Sequence, residues 1–291
     1  MAATATEPGE KPRRFAWLRP PKASASDGTM ALMDHLREVR YRLTVSVIAT
    51  VIASVGAIFF YRELVAIILQ PYYTAADQVR AAHEGADLQL ANSGVVGPFT
   101  LAVMAVLLTG LIASSPVWIY QIWAFVAPGL VSKEKRYALG FLGAAVPLFL
   151  LGVAVGYWVW PKGIAVMLSF TPQGLDIMNL LDMSEFLALE IKIILVFGVS
   201  FLLPVILIAL NMAGVVKGYQ LAGARRYVIF GTVVFAAMAT PSTDPFSMLA
   251  LAVPMSVLYF VAERIAVILD KRKGITKESV SEWHIDVDDD E

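Results

Sequence analysis

The 291-residue chain has no cysteine and only three histidines, His35, His83 and His284. The first absence excludes disulfides and thiolate metal sites. The second leaves no imidazole inside an apolar run to serve as a base at membrane depth. No HExxH helix, P-loop or GxSxG elbow occurs either. The sequence therefore reads as a non-enzyme without metal or cofactor. Charge is also scarce, at 16% of residues against 58% hydrophobic, and the net charge of −1 gives no footprint for nucleic acid. What is present is a set of uncharged runs too long for a soluble core. The class is all-α, a polytopic membrane protein.

The longest run organises the rest. From Leu88 to Ser132 there is no Asp, Glu, Lys or Arg, and a straight helix of that length would overshoot a ~30 Å hydrocarbon core about twofold. The chain must bend or leave the membrane. Pro116 and Pro128 each remove a backbone donor, and Trp118, Tyr120 and Trp123 carry rings suited to the headgroup level. The water boundary is expected near Trp118 to Trp123, followed by a loop with Phe125, Pro128 and the cluster Lys133-Glu134-Lys135-Arg136.

Taken in order, residues 1–28 have the composition of a disordered basic arm. Residues 29–266 form the transmembrane domain, with six spans expected at about 43–61, 95–122, 137–160, 184–213, 226–241 and 246–263, and residues 267–291 make a charged tail. Thr29 suits the cap of an amphipathic helix leading into the first span. Residues 62–94 read as a polar connection turned by Gln70-Pro71-Tyr72-Tyr73, and residues 161–182 as a polar loop. The last two uncharged stretches, Tyr227–Thr240 and Phe246–Ala262, fall short of a full crossing, which leaves two readings: the bilayer thins beside them or they lean on neighbours, or else Pro241 does not end the helix. Nineteen of the twenty-three Lys and Arg residues fall on the side that carries both termini. The positive-inside rule places that side in the cytoplasm.

Isolated acids are the remaining chemistry. Glu38 could bind an external cation, although Arg42 one turn on offers an i,i+4 pair. Glu134, flanked by cations, reads on the same grounds as a loop salt bridge. Glu190 lies within the fourth span, about two turns from its outer end, and is expected to snorkel together with Lys192. Asp244, between Pro241 and Pro245, suits a tight turn that caps the sixth helix.

Four motifs then carry a resemblance. They are His35-Leu36-Arg37-Glu38-Val39-Arg40-x-Arg42-Leu43, then Ser115-Pro116-Val117-x-x-Tyr120-Gln121-x-Trp123-Ala124-Phe125-x-Ala127-Pro128-x-Leu130 with Glu134 beyond it, then Gly198-Val199-Ser200-Phe201-x-x-Pro204-Val205, and Thr240-Pro241 with Asp244-x-Phe246-Ser247. In this order the chain resembles the TatC family of twin-arginine protein translocases over roughly residues 30–265. The resemblance implies a glove-like six-helix receptor in a bacterial or archaeal cytoplasmic membrane. Such a receptor binds paired-arginine signal peptides and works with single-span TatA-like and TatB-like partners, using the proton-motive force. It implies Glu38 and Glu134 as arginine-binding acids with Phe125 beside them, and a positional role for Arg40 and Pro71. Pro116, Pro128 and Pro204 are implied to be structural, with Glu190 and Asp244 open to partner docking and room left for self-association.

Two positions depart from the family pattern. Leu202 stands where the family often has a fourth-span glutamate, and Met248 where a polar residue is common. Glu190 is twelve residues before Leu202, about 18 Å along a helix, so it is no positional replacement. The competing reading is a secondary transporter or proton channel using Glu190, Lys192 and Asp244. Against it, no inverted repeat relates the two halves of the chain.

Overall fold

The computed structural model describes residues 32–82, 88–92, 94–126, 135–171, 179–240 and 245–273. Helix α1 (Leu32–Ile58) leads into α2 (Tyr61–Ala82) and a short strand β1 (Leu88–Ala91). Helices α3 (Gly97–Ala113) and α4 (Ser115–Val126) follow, then the long α5 (Lys135–Leu168), strand β2 (Asn179–Asp182), and α6 (Met183–Ser200) with α7 (Leu203–Met212). Helices α8 (Gly218–Ala239) and α9 (Pro245–Arg272) complete the order. Among the described residues, five helical stretches are long and apolar enough to cross a membrane, and the pair α3 and α4, bent by 57°, is a sixth when taken as one span. The start of α1, the end of α4, the start of α5 and the end of α9 share one end of the bundle, called here the near end; α2 and the strands share the far end.

The bends sit where proline withdraws a donor. Between α3 and α4 the ladder stops at Ser114, because Pro116 has no N–H for the carbonyl of Ile112. One residue earlier, the Leu111 carbonyl accepts from side chains: the Trp118 indole N–H donates to it at 3.0 Å and the Ser114 hydroxyl at 3.2 Å. The Ser114 hydroxyl also lies 2.9 Å from that of Thr50 on α1, which anchors the bend to its neighbour. Nearby, a Cβ on Gly110 would come within 1.9 Å of the Ser54 hydroxyl, so only glycine lets α1 and α3 cross so closely. Pro204 breaks the fourth span in the same way, at Phe201–Leu202 between α6 and α7.

Residues 62–94, read above as a polar connection turned at Pro71, are corrected by α2. Pro71 lies inside a continuous helix and is fully buried. The reason is amphipathicity: Ile68, Leu69, Tyr72, Ala75, Ala76 and Val79 recur at spacings of three and four and are all buried. The missing Pro71 donor leaves the Ile67 carbonyl without its helical partner. The Tyr157 hydroxyl of α5 replaces it, donating at 2.7 Å.

Three further boundaries differ from expectation. Helix α5 runs through Pro161 to Leu168, where a loop was expected from residue 161. Helix α8 begins at Gly218 and α9 ends at Arg272, each about two turns beyond the uncharged stretches on the near side. At 1.5 Å per residue the 22 residues of α8 span about 33 Å, but the added turns carry Arg225 and Arg226, and its uncharged part is still only Tyr227–Ala239. Unforeseen altogether is a parallel pairing of β1 with β2, Leu88 opposite Asn179 through Ala91 opposite Asp182.

The core gathers Tyr72 of α2, Leu101 and Leu108 of α3, Trp160 and Ile164 of α5, Phe186, Leu187 and Phe197 of α6, and Leu251 and Met255 of α9. If the Tyr157 hydroxyl completes the α2 ladder, Tyr157→Phe leaves the Ile67 carbonyl without that donor and costs about 0.5–1.5 kcal/mol. Thermal unfolding in detergent should show a lowered Tm, and an unchanged Tm would remove Tyr157 from that role.

Candidate functional site

At the near end, Glu38 projects from the first turns of α1 into the wall formed by α4. Its side chain is 9% exposed, and its Oε1 accepts from the Arg42 Nε at 2.9 Å and from Nη2 in a shorter contact. Arg42 Nη1 also reaches Gln121 Oε1 of α4 at 3.4 Å, a weak contact by distance. One guanidinium thus links α1 to α4, its flat fork matched to a carboxylate on one side and an amide carbonyl on the other.

Beside this pair opens a cavity of about 300 Å³ lined by Val39, Arg42, Leu43, Trp118, Gln121 and Phe125 among others. Its walls are almost wholly apolar, and Arg42 supplies the charge. Of the residues named from sequence, Phe125 lines this cavity and Glu38 adjoins it through its pair with Arg42. Arg40 lies on the exposed side of α1. Pro128, Glu134 and Asp244 lie outside the described residues. Gln121 was quoted above only as part of a motif, and its amide facing Arg42 had no sequence signal beyond that.

Glu190 corrects the expectation of snorkelling. It is 0% exposed, and neither carboxyl oxygen has a hydrogen-bond partner among the described residues, while Lys192 is exposed on the next part of the helix. The two do not act together, and an enclosed Glu190 offers no surface to a partner helix. Gly152 of α5 packs against Phe197 and Gly198 of α6, and Gly156 against Ile194. Continuing that antiparallel register puts Trp160 level with Glu190, and the Trp160 indole N–H is likewise without a partner.

Sequence reasoning also missed a polar framework that locks α7, α8 and α9 together. Glu263, 1% exposed, accepts both the Nε of Arg225 at 2.7 Å and its Nη2 at 2.5 Å. Asp270, 5% exposed, accepts the Asn211 amide at 2.9 Å and the Gly218 N–H at 2.5 Å, so its carboxylate sits on the N-terminus of α8. The Tyr259 hydroxyl closes on the Leu221 carbonyl at 2.7 Å. The available signal was spacing: Tyr259, Glu263, Ala266 and Asp270 repeat at four, three and four on one buried face of α9.

Fold and site together define a multi-pass helical membrane protein with a carboxylate–guanidinium site at one end of its bundle. The family model for the Sec-independent protein translocase protein (TatC) matches residues 34–254. A TatC of Xylanimonas cellulosilytica is 37% identical over 243 residues, which is 84% of this chain and 86% of that protein. One from Frankia casuarinae is 35% identical over 271 residues, 92% of this chain and 73% of that protein. A crystal structure of the twin arginine translocase receptor TatC in DDM superposes with a TM-score of 0.65 at 30% identity, covering 80% of this chain and 99% of that one. The chain belongs to the TatC family of protein translocase subunits.

Two stability measurements follow from the geometry. Glu190→Leu removes a buried group with unmet hydrogen bonds, so Tm in detergent should hold or rise. A clear fall would mean that the carboxyl has a partner. Asp270→Ala should lower Tm by leaving the Asn211 amide and the Gly218 N–H unpaired, at about 1–3 kcal/mol for each buried group. No change would make the α7–α8–α9 framework incidental.

Proposed function

We propose that this chain is the core receptor subunit of its translocase, recognising signal peptides with paired arginines at the near end and passing folded cargo across the membrane. The observation that carries this reading is the Glu38 carboxylate already gripping a guanidinium at the rim of an open, mostly apolar cavity. An incoming arginine can exchange for Arg42 on Glu38, a like-for-like replacement that keeps the carboxylate paired throughout. Lysine cannot reproduce it, because a point ammonium lacks the planar fork that shares Glu38 with the Gln121 carbonyl. Glu134 serves as the second arginine acceptor in this proposal, with Phe125 as the apolar wall beside both. Arg40 acts on position, and Pro71, Pro116, Pro128 and Pro204 set helix directions.

The same reading puts both termini in the cytoplasm, supported by the Lys and Arg bias of the near side. The membrane is the cytoplasmic membrane, and single-span TatA-like and TatB-like proteins are the partners that complete a channel driven by the proton-motive force. The secondary-transporter reading loses support from the separation of buried Glu190 and exposed Lys192.

The test is export of a folded reporter in cells that depend on this chain. Glu38→Gln and Glu134→Gln should each reduce export about tenfold or more, as expected for losing a charged hydrogen bond in a shielded site, with the protein still present in the membrane. Full export from both variants would overturn the assignment of the site.

A further inference from the structure

A second cavity, of about 200 Å³, opens at the far end between α2 and α5. It has no part in the arginine site. Its α2 wall is Gln70, Thr74 and Gln78, a polar ladder at intervals of four on the side of the helix that its apolar stripe leaves free, with Pro71 at the base. Its α5 wall is Tyr157, Trp158, Pro161 and Lys162. The Lys162 ammonium rests 2.8 Å from the centre of the Trp158 ring and forms no salt bridge among the described residues. Among the described residues, no carboxylate lines the cavity. It therefore combines a cation lacking an anion, two amide side chains able to donate, and an aromatic ring at the end of a membrane-spanning helix.

The geometry points to a binding site for a phospholipid with a net-negative headgroup, its phosphate on Lys162 between the Gln70 and Gln78 amides. The absence of an acid in the lining selects the class of headgroup, since nothing is placed to receive the ammonium of a zwitterionic lipid. The tail track selects lipid over a free anion. Pro147, Leu151, Ala154 and Trp158 form one exposed stripe along α5, at spacings of three and four, leading straight to Lys162. An acyl chain lying on that stripe delivers its headgroup to the cavity mouth, where Trp158, 63% exposed, has the amphipathic ring that settles at the headgroup level.

Native mass spectrometry of the full chain released from nanodiscs tests this, using equal mixtures of phosphatidylglycerol and phosphatidylcholine. The wild type should retain phosphatidylglycerol preferentially. Lys162→Gln should reduce that preference about fivefold, the worth of one lysine at an anionic surface, while Lys162→Arg keeps it and the exposed Lys192→Gln does not change it. Circular dichroism and gel filtration show whether each variant is folded. Equal preference in wild type and Lys162→Gln overturns the site. Displacement of the retained lipid by millimolar inorganic phosphate overturns the lipid assignment in favour of a free-anion site.

Discussion

The constraint on which the rest of this structure depends is that backbone polar groups inside a membrane have no water to fall back on. A proline inside a helix withdraws a donor, and at two positions the chain answers visibly, with a bend or with a side chain. At Pro116 the span bends by 57°, and beside the bend the Trp118 indole N–H takes up the Leu111 carbonyl. At Pro71 a side chain alone suffices, because the Tyr157 hydroxyl reaches across from α5 to the Ile67 carbonyl. The first repair shapes the near-end site, since the bend directs α4 so that Gln121 and Phe125 face α1. The second holds α2 against α5 and thereby forms the far-end cavity.

The near end then shows how two kinds of buried charge coexist in one bundle. Arg225 with Glu263, and Asp270 with Asn211 and the start of α8, satisfy each carboxylate with two donors and fix three helices. Glu38 is paired by a residue of its own helix through a single oxygen. An intrahelical pair of that kind can open without moving a helix, whereas the α8–α9 pair cannot. The difference separates a site able to exchange its partner from a framework that must not.

Much of the architecture was legible in the sequence because membrane helices announce themselves by long uncharged runs, and the break near Pro116 followed from length alone. Helix α2 was missed because its polar residues dominate the composition of residues 62–94, while the buried stripe from Ile68 to Val79 shows only when periodicity is followed through Pro71. The paired strands were missed because four residues give too little alternation to read. At the site, Glu38 and Phe125 were singled out from motifs, and Arg42, which pairs with Glu38, shares a cavity with Phe125. The burial of Glu190 was not legible, because depth along a span says nothing about which way a side chain turns. Glu263 and Asp270 looked like the charged end of a helix, and only the approach of α7 and α8 encloses them.

The most direct measurement is equilibrium binding of a fluorescent signal peptide to the purified chain in nanodiscs, with an arginine pair compared with a lysine pair. The account predicts that the arginine peptide binds at least about tenfold more tightly, the equivalent of one charged hydrogen bond, and that Glu38→Gln abolishes most of that difference. Equal affinity for the two peptides on the folded wild-type protein would contradict it.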